Sequence, residues 1–347
     1  MKATSGVLAW TVAIITGFVA FGAPVGAQQT ARIPRVGFLG TSPTLGPTLA
    51  FQRGLRDLGY VEGQNIIVEY RFSDGQGERL PELGLELIDL DPDLIVAAGA
   101  IHAQALKQAT TTIPVIFAIQ PDAVAAGLVT NAARPGGNLT GFTNFDPDQA
   151  AKQLELLKEM NPALTRVAIL WDRDTAVVGA GEGDDPAAVL GPAARQSQAA
   201  AVALGLEPQM IGLQAANIDL ETVFDTAKRG RAQALLVLSQ PVTGLYGPAI
   251  SELAVRNRLP ALTPVDQVTD DWQGLVAYGT SFADAAYGTA SYLDRVLRGD
   301  DPAELPVQSV THRALAVNLD TAQKIGVTIP TSVLQRADQV IDGRGKG

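Results

Sequence analysis

Cysteine is absent from the 347 residues. Without a thiol there is no disulfide, no thiolate nucleophile, no cysteine-held zinc or iron–sulfur centre and no lipid-modified N-terminal cysteine. Histidine is scarce. His102 and His312 stand far apart, neither with an evident serine–aspartate partnership, and His102, set on a helix, reads as a solvated surface residue. Basic clusters are missing as well. Lys and Arg total 26 against 36 Asp and Glu, a formal charge of −10, whereas a nucleic-acid binder needs a basic face. The acidity reads as solubility. No Gly-x-Gly-x-x-Gly follows the first strand, and no Gly-x-x-x-x-Gly-Lys-Ser/Thr occurs, which leaves dinucleotide and nucleoside-triphosphate loops without support. Asp172, Asp174, Asp184 and Asp185 lack calcium-loop spacing and read as a solvated loop. No metal or cofactor is expected.

What is present begins with an export signal. Residues 1–27 carry Lys2, an apolar stretch from Val7 to Phe21, and small residues at Val25 and Ala27. That is the pattern of a signal peptide cut near Ala27, so the mature chain is expected from Gln28, in the periplasm, with an uncleaved membrane anchor as the alternative. No later stretch is long and apolar enough to cross a bilayer. The length is comfortable for two α/β lobes.

The stretch Arg35 to Arg71 sets the pattern. Arg35 to Gly40 is an apolar run ending in glycine, which suits a buried parallel strand. After the loop Thr41-Ser42-Pro43-Thr44, a helix is predicted from Thr48, with Phe51, Leu55 and Leu58 on one face and Gly59 closing it. Asn65 to Arg71 supplies the next strand. This βαβ unit puts Thr41 and Ser42 at the carboxyl edge of the sheet, where ligands of open α/β sheets sit. Leu94–Gly99, Ile113–Ala118 and Leu139–Phe142 continue as strands. A helix is predicted to start at Asp146-Pro147, and the pattern restarts with strands at Arg166–Trp171, Pro208–Leu213 and Ala234–Leu238, after which Leu259–Leu262 leads into Thr263 to Asp266. Asn217 is a candidate helix cap. Leu275–Gly279 is a strand, Ser281–Arg298 a long helix, and Leu315–Asn318 a strand before two short helices. Two sets of parallel βα units in series, meeting near Asn144, imply two lobes of similar architecture.

Several stretches together resemble a known family. Phe51-x-x-Gly54-Leu55-x-x-Leu58-Gly59-Tyr60-x-Glu62-Gly63-x-Asn65, Glu69-Tyr70-Arg71, Thr111 to Val115 and Arg134 to Gly141 are similar to the ABC-transporter substrate-binding family that includes the tryptophan and tyrosine binding proteins. Glu252-Leu253-Ala254, Leu259-Pro260-Ala261, Tyr278-Gly279, Asn318 to Ala322, Gly326-x-Thr328-Ile329-Pro330 and Leu334-x-Arg336-Ala337-Asp338 extend the likeness. It implies a type I periplasmic-binding-protein fold: two Rossmann-like lobes with parallel sheets joined by a multi-strand hinge. The lobes would be 28–144 plus about 279–305, and 145–275 plus about 310–347. Crossings would fall near Phe142–Phe145, Asp271–Gly279 and Pro306–Thr311. The implied role is the solute-binding component of an ABC importer, a monomer that closes on a small organic ligand, amino-acid-like or aromatic, and delivers it to a membrane permease. The alternatives are a sensor reporting to a membrane receptor, or an α/β enzyme.

The loops at the carboxyl edges nominate the ligand contacts. These are Thr41, Ser42, Gly99, Ala100 and Asp122 in the first lobe, and Ser239, Gln240 and Asp266 in the second, with Tyr278 beside the hinge. Helix N-termini there suit an anion. The Thr41 and Ser42 hydroxyls are donors, and Asp122 or Asp266 an acceptor for an ammonium. As plain structure, Ser42 and Asp122 would only cap helices and Tyr278 would only pack the hinge. Relatives in the family often carry a hydroxyl residue where this chain has Ala100-Ile101, and an aspartate where it has Ser239-Gln240. Both departures remove polar partners and motivate a less zwitterionic, more apolar ligand.

Overall fold

The computed structural model describes residues 32–119, 122–175, 190–268 and 272–342. The proposed signal peptide, Asp184, Asp185 and the start of the crossing placed at Asp271 lie outside them. Among the described residues no helix is long and apolar enough to cross a membrane.

Six strands form the first sheet: β1 (Arg35–Gly40), β2 (Ile67–Phe72), β3 (Leu94–Ala98), β4 (Val115–Ile119), β5 (Leu139–Thr143) and, from late in the chain, β11 (Gln308–Ser309). Their order is β11-β5-β4-β3-β1-β2, every pairing parallel. The second sheet holds β6 (Arg166–Asp172), β7 (Glu207–Leu213), β8 (Ala234–Val237), β9 (Ala261–Thr263), β10 (Val276–Thr280), β12 (Arg313–Asn318) and β13 (Gln339–Ile341), in the order β13-β12-β10-β9-β8-β6-β7. It is not wholly parallel, as the sequence had suggested: β10 and β12 run antiparallel. The chain leaves β10, builds a helix on the first sheet, and returns in the opposite sense.

Helices cover both faces of each sheet. They are α1 (Gly46–Asp57), α2 (Leu80–Ile88), α3 (Ala100–Ala109), α4 (Gln149–Met160), α5 (Pro192–Ala203), α6 (Leu220–Arg229), α7 (Pro241–Leu245), α8 (Gly247–Arg256), α9 (Phe282–Leu297), α10 (Leu319–Ile325) and α11 (Thr331–Leu334). On one face of the first sheet, Phe51 and Leu55 of α1 and Ala286, Ala290 and Leu293 of α9 pack on Val36, Phe38 and Val96. On the other, Leu83 and Leu87 of α2 and Leu106 of α3 pack on Leu39, Ile95 and Phe117. The second sheet is sandwiched in the same way, with Leu154, Ala194 and Ala322 on one side and Phe224 and Ile250 on the other. Strands buried on both faces explain the unbroken apolar runs.

Local signals mostly held, with shifts. Gly59 (φ +82°) ends α1 as expected, but Leu58, the capping residue, is 46 % exposed and leaves the buried face to Phe51 and Leu55. Asp146 does not begin α4. It turns the chain by accepting from the Asp148 N–H (3.0 Å), and the helix starts at Gln149. The cap of α6 is Asp219, whose carboxylate takes the Thr222 N–H, rather than Asn217. His102 is fully buried, not solvated. Strand β11 falls within the crossing expected near Pro306–Thr311, while β13 and α7 have no counterpart in the sequence pattern.

Between β5 and β6, between β10 and α9, and between β11 and β12 the chain passes from one sheet to the other. Side chains lace these three passages together. Asn144 Nδ2 donates to the Thr280 carbonyl (3.2 Å) and Thr280 Oγ1 to the Asn144 carbonyl (2.5 Å). Arg313 grips the buried Asp146 carboxylate with two donors, at 2.5 and 2.7 Å.

Candidate functional site

The carboxyl ends of β1 and β3 in one sheet, and of β8 and β9 in the other, open onto one cleft. The space between its walls, with the open solvent at its mouth counted in, is about 590 Å³. Thr41, Leu45, Gly46, Pro47, Thr48 and Ala98 form one wall. Ser239, Gln240, Pro241, Gly244, Pro264, Asp266 and Gln267 form the other, and Phe282 closes the end. Most of this surface is apolar, with a few polar groups set in it.

Of the nominated residues, Thr41, Ser239, Gln240 and Asp266 meet in the cleft. Thr41 is only 6 % exposed, lines the cleft, and its hydroxyl makes no hydrogen bond among the described residues. Beside it α1 starts without a side-chain cap and without an acidic residue in its first turn. The first-turn amides of a helix lack intrahelical acceptors and carry the positive end of its dipole. Ser239, on the other wall, likewise makes no side-chain hydrogen bond among the described residues. The Gln240 carboxamide is committed: Oε1 accepts from the Asp172 N–H (2.7 Å) and Nε2 donates to Thr175 Oγ1 (2.9 Å). Buried Asp172 in turn accepts from the Val242 N–H (3.0 Å), so Gln240 and Asp172 together fix the start of α7.

Asp266 is committed as well. Its carboxylate accepts from Ser281 Oγ (2.8 Å), Phe282 N–H (2.8 Å) and Ala283 N–H (3.1 Å), the free donors at the start of α9. Burial pushes this carboxyl up from its ordinary pKa, more than the three donors pull it down. Asp266 thus ties the second sheet to a helix that packs on the first.

The other nominated residues are not among those that line the cleft. Ser42 Oγ pairs with Thr44 Oγ1 (3.2 Å) and its carbonyl accepts from Thr48 Oγ1 (2.8 Å), which shapes the β1–α1 loop. Gly99 begins α3 at φ +144°, and a Cβ there would lie 2.6 Å from His102 Nδ1. Ala100 is the first residue of α3. Asp122 takes the Val124 and Ala125 N–H groups (2.9 and 2.8 Å) in a local turn. Tyr278 packs on the core of the second sheet, and its carbonyl accepts from Gln153 Nε2 (2.8 Å). Burial raises its phenol pKa.

Sequence reasoning missed the first turn of α1, Gln267 and Phe282. Pro47, in the first helical turn, was the available signal for an earlier start of α1. Gln267 donates to the Thr243 carbonyl (3.1 Å), a tertiary contact with no local signature. No group of three His, Cys, Asp or Glu side chains able to hold a metal occurs among the described residues.

Known proteins share this arrangement. The chain is 24 % identical over 275 residues to a tyrosine-binding protein of Clostridioides difficile (strain R20291), covering 79 % of this chain and 75 % of that one. An ABC domain from Streptococcus pneumonia, solved in complex with L-Trp, superposes with a TM-score of 0.73 at 26 % identity, over 89 % of this chain and 99 % of that one. A conserved domain protein from Vibrio cholerae O1 biovar El Tor gives a TM-score of 0.75 at 23 % identity, over 89 % and 100 %. The fold is therefore that of the type I periplasmic binding proteins. Residues 47–182 and 199–341 match the family described as ABC transporter substrate binding protein. This chain belongs to that family: it is a substrate-binding protein of the ABC-transporter class, and not an enzyme.

Proposed function

We propose that the chain is the exported binding component of an ABC importer, which takes up a small organic ligand in the cleft, closes on it, and delivers it to a membrane permease. The observation that carries this reading is a cleft built from the carboxyl edges of two sheets whose connecting passages are three laced crossings. The moving bodies are residues 28–144 with about 279–305, and 145–275 with about 310–347. Ligand touching both walls favours the closed arrangement by its differential affinity for it. No covalent step is involved.

Thr41, Ser239 and the first turn of α1 are the proposed polar contacts. Gln240 and Asp266 complete the wall, with Ser42, Gly99, Ala100, Asp122 and Tyr278 as the further proposed contacts. A relative that binds tyrosine and one solved with L-Trp support a ligand with an aromatic or similarly apolar body. The apolar walls at Leu45, Pro47, Pro264 and Phe282 suit such a body. Export is supported by the family, whose members are typically extracellular or periplasmic, and by the leader read at residues 1–27.

The test is a thermal-shift screen of the monomeric chain from Gln28 against amino acids, aromatic carboxylates and small amides. Ligand at about 100 times its Kd adds roughly 2.7 kcal/mol to stability. A hit accompanied by a smaller radius of gyration in solution scattering is the expected outcome. Stabilisation by no member of the three classes would overturn the ligand assignment. Uptake into vesicles bearing the permease, dependent on this protein, tests delivery.

A further inference from the structure

Resting on the proposed ligand site, we infer that the cleft selects a monocarboxylate lacking an α-ammonium group, an aryl- or alkyl-alkanoate, over the corresponding free amino acid. Among the described residues that line the cleft, Asp266 is the only charged side chain. A zwitterion needs two opposite partners there. The anionic end has one: Thr41, 6 % exposed and with an unused hydroxyl, stands beside the uncapped first turn of the twelve-residue helix α1. A helix N-terminus with a buried donor next to it recognises a carboxylate.

The cationic end has no comparable partner. Asp266 already receives the Ser281 hydroxyl and the Phe282 and Ala283 amides, so its charge offsets the positive end of α9. An ammonium placed beside it would compete with a helix cap for the same oxygens. The rest of the polar lining, Thr41, Thr48, Ser239, Gln240 and Gln267, is uncharged. An ammonium would also face the unbalanced positive end of α1. Burying a cation without a paired anion is costly, whereas removing it leaves an apolar body against Leu45, Pro47, Ala98 and Phe282.

Isothermal titration of the chain from Gln28 with matched pairs decides the matter: 3-phenylpropionate against L-phenylalanine, and indole-3-propionate against L-tryptophan. The expected result is an acid bound at least tenfold more tightly than its amino acid in at least one pair. An amino acid bound as tightly as its acid, or more tightly, overturns this inference and leaves the transport reading intact. Binding of neither member of either pair overturns it too. The transport reading then survives only if the wider screen finds another ligand. Thr41→Val is expected to weaken the acid at least tenfold and its neutral amide, 3-phenylpropanamide, by a clearly smaller factor. Thr41→Ser restores the acid. Equal weakening of acid and amide would remove Thr41 from the carboxylate site.

Discussion

Asn144 and Thr280 hold each other by reciprocal bonds between side chain and backbone carbonyl, at 3.2 and 2.5 Å, and so join two of the three passages between the sheets. Gln149 reinforces the pair, its Oε1 accepting from both the Thr280 N–H (3.0 Å) and Oγ1 (3.1 Å). Thr280 is buried, so replacing it by valine keeps the shape and strands the Asn144 carbonyl. Leaving a buried acceptor unpaired costs about 1–3 kcal/mol. Thr280→Val is therefore expected to lower unfolding stability in urea by that amount. Because the lost bonds lie at a crossing and not in the cleft, ligand contact is preserved. An unchanged urea midpoint would show that the pair is not a structural clasp.

A second clasp joins the first passage to the third. The Asp146 side chain is nearly inaccessible and Arg313 holds both its oxygens, which keeps the Asp146 carboxyl below the ordinary aspartate range. Removing only the guanidinium leaves a buried charge alone. Breaking such a pair is strongly destabilising when both partners are buried; with Arg313 45 % exposed, Arg313→Met is expected to lower the urea midpoint, by less than loss of a fully buried partner would. Asp146→Asn with Arg313→Met should recover part of that loss. A depressed carboxyl contributes stability above its unfolded pKa and loses it as pH falls through the folded value. The wild-type advantage over the double variant should accordingly shrink toward the acid limit. A double-mutant cycle with no coupling would dismiss the clasp.

His102 gives the molecule a separate response at milder pH. It is fully buried behind Gly99, and neither ring nitrogen has a well-formed hydrogen bond among the described residues. Burial pushes the imidazole down from 6.5 to about 4, with the Gly40 backbone pulling weakly the other way. The unfolded chain thus binds a proton between those values that the folded chain refuses. Stability from this group is present above about 6.5 and is lost as pH falls toward 4, at up to about 1.4 kcal/mol per pH unit. Urea melts between pH 7 and 4.5 should show this slope, and His102→Leu should flatten it. Parallel slopes in wild type and variant would rule out His102 as its source.

The sequence made most of the scaffold legible because parallel strands buried on both faces read as apolar runs, and glycine marks where helices end. Phe51 and Leu55 were legible for the same reason: one helical face meets one core. The carboxyl-edge loops could be named, and Thr41, Ser239, Gln240 and Asp266 do meet in the cleft. What could not be read was the spending of polar groups. Asp266 caps α9 through residues 15 to 17 positions away, and the Gln240 carboxamide serves Asp172 and Thr175 some 65 to 68 positions back. His102 was misjudged because burial depends on how α3 docks behind Gly99, which a solitary polar residue in a helix does not disclose. The antiparallel turn of β10 and β12 escaped because each strand alone looks like its parallel neighbours.

Closure itself can be tested at Gly75, in the loop after β2. There the first wall meets the second away from the ligand space. A Cβ on Gly75 would stand 2.9 Å from Ala215 Cβ, 3.5 Å from Val242 Cγ2 and 3.6 Å from Leu245 Cδ2. Any side chain is thus a wedge between the β2 loop and α7. Gly75 has φ +78°, a conformation asparagine tolerates better than other residues. Gly75→Asn therefore adds the wedge with little backbone strain. The variant should unfold at nearly the wild-type temperature in the absence of ligand, while its apparent Kd rises in proportion to the closed population lost. A shift of about 1.4 kcal/mol in the closing equilibrium would appear as a tenfold weaker Kd. Solution scattering of the variant with saturating ligand should still show compaction, because added ligand restores the closed state by mass action. If Gly75→Asn binds as tightly as wild type, the contact between the β2 loop and α7 plays no part in closure.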